Sequence, residues 1–265
     1  MAIATLEDLA AARKYEVRIH KVGGRSTVAG AYTSVFAWPN DAGPSTLTAT
    51  AAWEIPVSGN TGYAKMPAVQ AGEKAYLVDA RLSCTAVGRL ILFDCMCVRG
   101  TTAANVAQTG TTPDLTDRLM GDARPEVWME LATWPATAYP TLSMTYVDLD
   151  ATSYPVSYAT DYLSASPLEG RLLALPTPVA ARGFSALTSA QAVTSSTRFY
   201  NTRIMRRLWA SGNEKNPRGV GLSAHSDFMK TGLTELHPDT ALFLANLATN
   251  VGTNEIDLVL TIAVA

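Results

Sequence analysis

The run GRLILFDCMCVRG at residues 88–100 has few possible settings. Asp94 interrupts it, and it falls well short of the about 20 apolar residues that a helix needs to cross a membrane. As a strand it places apolar side chains on both faces, so it reads as a central strand covered on both sides. Cys95 and Cys97 then behave as small hydrophobes. Spaced two apart, they are expected on one strand face with Cα atoms roughly 6.5–7 Å apart, the outer limit for a disulfide. Cys84 makes the count three, and an odd count argues against a disulfide framework.

The flanking chain alternates with period two between turn signals. EKAYLVDARLS sets Tyr76, Val78, Ala80 and Leu82 against Leu77, Asp79 and Arg81. PEVWMELAT sets Val127, Met129 and Leu131 against Trp128 and Glu130, and TLSMTYVDLD lines up Leu142, Met144, Tyr146 and Asp148. In NEIDLVLTIAVA, Ile256, Leu258, Leu260, Ile262 and Val264 face inward. TALFLANL and the turn ATNVGTN before it suggest a closing hairpin. Many such strands without amphipathic helices between them predict an all-β fold, an antiparallel β-sandwich of jelly-roll type.

Residues 4–14, ATLEDLAAARK, predict a short helix, with Thr5 as cap, Glu7 and Asp8 at its positive end, and Arg13 and Lys14 at its negative end. YEVRIHKV follows as a strand. Residues 23–52 are rich in Gly, Ser, Thr, Ala and Pro, yet carry Phe36 and Trp38, which are costly to leave in water. The expected division is a helix and extended arm over 1–45 and a sandwich domain over 46–265.

Charged residues make up only 17% of the 265, and Thr, Ser, Ala and Gly must cover much of the surface, as suits flat faces lying against neighbouring subunits. A net charge of −2 gives no field to hold nucleic acid or an anionic membrane, and neither is expected as a partner. Glu7 and Asp8 stand where a secretory signal has positive charge, so synthesis in the cytoplasm is expected.

Chemical motifs fail on spacing. Zinc would need Cys84, Cys95 and Cys97 to meet His20, His225 or His237, without a tight Cys-x-x-Cys pair. The stretch from Asp148 begins like a calcium loop but has Ser153 and Ala159 where glycine and glutamate belong. GLSAH at 221–225, with His225 and Asp227 nearby, lacks the second glycine of a nucleophile elbow. VGGR at 22–25 is too short for a phosphate loop. No catalytic residue, metal or cofactor is expected. The least poor enzyme reading is glycoside hydrolysis by Asp148 and Asp150. A glycan-binding reading would use Trp128, Trp134 and Tyr139 as a platform.

The segment TRFYNTRIMRRLWASGNEKNPRG concentrates Arg198, Arg203, Arg206, Arg207, Lys215 and Arg218 around a single acid, Glu214. Since Arg and Trp are favoured at interfaces, Arg203, Arg206, Arg207 and Trp209 are candidate contact residues, together with Phe36 and Trp38.

The order of segments over residues 60–265 resembles a group of virion structural proteins of tailed bacteriophages. In that group a glycine and apolar run ends in aspartate, a Tyr-x-(Asn/Asp)-x-(Gly/Asp) turn follows, and then a Pro-x-x-x-x-Gly-Phe/Val-x-x-(Ile/Leu) segment. Gly88 to Asp94, Tyr146 to Asp150 and Pro178 to Leu187 occupy those places, with Asp150 where a turn glycine would be expected. The resemblance implies a β-sandwich without catalysis, placed on the capsid exterior as a decoration or cement protein. Its expected partners are the major capsid protein and further copies of itself, as a homotrimer about a local three-fold position. A tail, collar or fibre-base position is the alternative.

Overall fold

The computed structural model describes residues 3–21, 32–35, 51–58, 63–84, 88–103, 105–121, 124–131, 141–159, 171–193, 199–211, 222–248 and 255–265. The strands are β1 (Arg13–Lys21), β2 (Tyr32–Ser34), β3 (Ala75–Cys84), β4 (Gly88–Ala103), β5 (Gln108–Thr109), β6 (Glu126–Leu131), β7 (Thr141–Val147), β8 (Ser153–Ala159), β9 (Arg171–Leu175), β10 (Ala186–Val193), β11 (Phe199–Ala210), β12 (Leu222–Ser226), β13 (Thr234–Leu236), β14 (Leu242–Ala248) and β15 (Ile256–Val264). Among the described residues three short helices join them: α1 (Leu6–Ala11), α2 (Thr116–Leu119) and α3 (Phe228–Thr231).

The all-β expectation holds, but the jelly-roll sandwich does not. Six strands close into a barrel in the order β11-β4-β14-β2-β9-β6. One further sheet runs β1-β15-β3-β12 with β13 also on β3, and another runs β5-β10-β7-β8. The reason lies in the strand that was read as covered on both sides. In a two-sheet sandwich a strand has one inner face, whereas β4 is buried from Leu90 to Val98 and needs a layer on each side. The barrel supplies one layer from its own interior and the flanking sheets supply the other.

Two cores follow from this layering. In the first, Leu77, Leu82, Leu258 and Leu260 of the β3/β15 sheet meet Leu90, Leu92, Leu242 and Leu244 of the barrel wall, and this core continues into the barrel through Phe93, Trp128 and Phe243. In the second, Leu142, Met144, Tyr146, Leu187 and Ala190 of the β7/β10 sheet meet Val127, Met129, Cys97 and Ile204. The alternation read in β6, β7 and β15 is therefore the one observed. Ala263 is also buried, under Leu9 of α1.

Bulges shift other faces. Opposite β11, Ile204 pairs with Cys97 and Met205 with Cys95, which leaves Met96 as an extra residue. Met96 and Cys97 both enter the second core while Cys95 enters the first, so the two cysteines do not share a face. None of the three cysteines is in a disulfide, and all three are buried. A second shift, at Thr261/Ile262, moves Leu77 to the inner face with Ala80 and Leu82 and turns Val78 outward beneath α1.

The N-terminal segment is built into the fold where it is described. Helix α1 ends at Ala11 and not at Lys14, and carries a full capping box between Thr5 and Asp8. Arg13 and Lys14 begin β1, although the Lys14 ammonium still reaches the Ala10 carbonyl at 3.3 Å. Strand β1 lies along β15, and β2 closes the barrel between β14 and β9. The expected closing hairpin is absent, because β14 belongs to the barrel and β15 to the first sheet.

Gly88 opens β4 opposite Ala248, and a Cβ there would meet the Leu247 carbonyl oxygen at 2.5 Å. Backbone cannot yield as a flexible side chain does. Gly88→Ala is expected to lower the unfolding free energy by about 1–3 kcal/mol, read as a reduced urea midpoint; an unchanged midpoint would show that β14 is free to move aside.

Candidate functional site

Of the candidate contact arginines of β11, Arg203 and Arg206 are buried and Arg207 alone reaches the surface. Arg203 lies opposite Trp128, on the face that points into the barrel, and is 2% exposed. Its guanidinium donates from Nε (2.9 Å) and from a second nitrogen to Oε2 of Glu130 on β6, and the neighbouring Asn201 donates to the same oxygen at 3.1 Å. A third nitrogen donates to the Tyr63 hydroxyl at 2.8 Å, near Cys95 Sγ at 3.7 Å. The guanidinium carbon stands 4.6 Å from the centre of the Phe243 ring, close enough for a cation–π contact. Burial works against the Arg203 charge, but Glu130 overrides it and holds the group firmly protonated. Burial pushes the Tyr63 hydroxyl and the Cys95 thiol up, so both stay neutral and neither is poised as a nucleophile.

A second buried cluster surrounds Asp94, which is fully buried. Its carboxylate accepts from Arg118 of α2, from the Ala241 N–H at 3.1 Å and from the Thr240 hydroxyl at 3.3 Å, with Arg206 at 4.0 Å. Arg206 is itself buried and donates to the Glu235 carbonyl at 3.1 Å. Trp209 is buried in the first core. The reading of Arg203, Arg206 and Trp209 as an outward docking patch is therefore corrected: the protein's own acids and rings enclose them. Arg207 remains half-exposed, paired with Glu126 at 2.7 Å beside the Phe93 ring. Phe36 and Trp38 lie outside the described residues.

Asp148, proposed with Asp150 as an acid/base pair, has another use. It is buried and accepts from the N–H groups of Asp150 (3.0 Å), Thr152 (2.9 Å) and Arg182 (3.2 Å) and from the Tyr154 hydroxyl (3.1 Å). Burial pushes its pKa up, but these donors outweigh it and hold the carboxyl below its ordinary range. Asp150 is exposed and pairs with Arg182 at 3.2 Å. The turn takes its left-handed residue at Ala151, φ 58°, and not at Asp150. Both acids thus tie the β7–β8 turn to the loop before β10.

The remaining candidates are dispersed. Trp128 is buried against Tyr32 and Phe93, with ring centres 5.1 and 5.9 Å away, so it offers no sugar platform; Trp134 and Tyr139 lie outside the described residues. Among the described residues no group of three or more His, Cys, Asp or Glu could hold a metal. His225 pairs with Asp79 at 2.6 Å, and Asp227 caps α3 by accepting from the Lys230 N–H. Ser223 lies within strand β12, which leads through Asp227 into α3, so the serine sits in the strand and not at the strand-to-helix turn. No helix among the described residues is long and apolar enough to cross a membrane.

No protein-family model matches the chain, and no curated protein matches it in sequence. Among solved structures, the VP2 subviral particle of infectious bursal disease virus aligns over 96% of this chain and 81% of its own, at 8% identity and a TM-score of 0.18. The structure of the Gt strain of the same virus aligns over 95% and 80%, at 7% identity and a TM-score of 0.16. At such scores the likeness to a viral capsid protein bears on neither fold nor function.

The Asp148 clasp gives a pH prediction with a definite sign. A carboxyl whose folded pKa is depressed stabilises the fold above its unfolded value of about 3.9, and that contribution is lost as pH falls through the lower folded value. Asp148→Asn is expected to melt below the parent at pH 7, with the gap closing as pH falls from about 4 through the lower folded value. A gap constant over that range would show that the charge of Asp148 contributes nothing.

Proposed function

We propose that this chain is a non-enzymatic structural subunit of a tailed-phage virion. It is assembled in the host cytoplasm and attaches to the outside of the shell of the major capsid protein as a decoration, cement or minor capsid protein. Three copies about a local three-fold position form the attached unit. The order of segments from Gly88 to Leu187 supports this reading. The observation that carries it is the use of the buried ionisable groups: Glu130, Asp94 and Asp148 are each closed off by several donors of the same chain, so their charge joins strands and turns.

Attachment needs area rather than a reactive group. A protein that binds the assembled shell better than free shell subunits stabilises the shell by mass action. With Arg203, Arg206 and Trp209 internal, shell contact falls to other parts of the surface. Co-sedimentation with empty shells that lack this protein tests the reading, with a salt series to separate ionic from apolar contact. Saturable binding at a fixed ratio to the major capsid protein is expected. Absence of binding at every salt concentration would overturn it.

A further inference from the structure

Strand β1 is the outer strand of the first sheet. It pairs with β15 along all nine residues without a register shift, and with no other strand among the described residues. Tyr15, Val17 and Ile19 face Ile262, Leu260 and Leu258 on the core side. Only Ile19 is buried, however, while Tyr15 and Val17 are half-buried. On the other face Arg18 holds Asp257 through two hydrogen bonds of 2.7 Å, and Arg81 reaches Glu16 at 2.5 Å. The Arg18 and Glu16 side chains nevertheless stay 63% and 66% exposed.

An edge strand presents a row of backbone N–H and C=O groups to any second strand, and chains that avoid pairing interrupt that row with proline, a bulge or an inward-pointing charge. The β5-β10-β7-β8 sheet does so at its edge strand β8, where Pro155 lies opposite Thr145 and donates no hydrogen bond. Strand β1 has no proline and no bulge, and the charges on its inward face, Arg13 and the buried Lys21, stand at its two ends with Tyr15, Val17 and Ile19 apolar between them.

We propose that β1 pairs antiparallel with β1 of a second copy of this chain, centred on Val17, so that two five-stranded sheets join edge to edge. The pleat restricts the register, because inward residues must oppose inward ones. Centred on Glu16, the pairing would set Glu16 against itself and Lys14 against Arg18. Centred on Arg18, it would set Arg18 against itself. Centred on Val17, Glu16 meets Arg18 of the second copy, the symmetry repeats that pair, Lys14 meets His20, and the like charges of Arg13 and Lys21 meet only at the two ends. Tyr15 meets Ile19 in the same way, and Val17 meets its own counterpart. Opposite charges and aromatic–β-branched pairs are the favourable cross-strand neighbours, and the half-exposed Tyr15 and Val17 lose their remaining contact with water.

The contact is isologous and closes at two copies. It forms in the free protein, so it does not rest on attachment to a shell, and a three-fold contact would use a different part of the surface.

Sedimentation equilibrium of the full chain tests the proposal with Glu16→Arg, Arg18→Glu and the double variant, each checked for an unchanged thermal melt. The parent is expected to pair, each single reversal to weaken pairing at least about tenfold, since it places like charges opposite each other twice, and the double variant to restore it. Val17→Cys tests the register independently: residues opposed across an antiparallel pair lie within disulfide reach, the native thiols are buried, and mild oxidation should give a covalent pair. A parent that stays monomeric up to its solubility limit, single reversals without effect, or a double variant no better than the singles would overturn the proposal. Pairing without cross-linking at Val17 would overturn its register.

Discussion

The barrel is built around one buried cation. Arg203 on β11 is clasped by Glu130 on β6, touches Tyr63 and Cys95, and lies over Phe243 on β14. A guanidinium in this setting needs its hydrogen bonds, because an unpaired buried charge costs several kcal/mol. Each partner therefore fixes the distance of one wall from β11. Glu130 matters most, since β6 and β11 are neighbours around the closed barrel and Asn201 binds the same carboxylate oxygen from the facing strand. The aromatic rings of Tyr32, Phe93 and Trp128 then fill the remaining interior.

The other layers depend on that closure. Because the barrel has a filled interior, its wall can present a second apolar surface outward, Leu90, Leu92, Leu242 and Leu244 on one side and Val127, Met129 and Ile204 on the other. The two sheets pack on these surfaces. The same economy governs the smaller polar sites. Asp94 ties α2 and the entry to β14 to the wall, and Asp148 ties the β7–β8 turn to the loop before β10. Charge is scarce in this chain, and much of what is buried serves to hold segments together.

How much of this was legible in the sequence depends on distance along the chain. Strand β7, and β15 up to the cover of α1 over Ala263, keep a clean period of two, so Leu142, Met144 and Tyr146, and Ile256, Leu258, Leu260, Ile262 and Val264, could be placed correctly. The run 88–100 announced a strand covered on both sides. What it could not announce was the bulge at Met96, because that shift is imposed by pairing with β11, some hundred residues away. Closure was hidden for a similar reason. It rests on β2, only three residues long, inside a Gly- and Ser-rich segment that has no periodicity to read. The arginines misled because a run of cations suggests a surface. The corrective signal was present in PEVWMELAT, where Glu130 shares a face with Trp128 in a strand whose other face is wholly apolar. An acid on such a strand needs a buried partner, and Arg203 is that partner.

The central claim is that the Arg203–Glu130 pair holds the barrel closed, and a double-mutant cycle in urea tests it most directly. Glu130→Leu alone strands a buried cation and Arg203→Met alone strands a buried carboxylate, so each is expected to cost about 3–5 kcal/mol. The double replacement should cost much less than their sum, with a coupling of at least about 2 kcal/mol. Single losses within about 0.5 kcal/mol, or losses that simply add, would contradict the account.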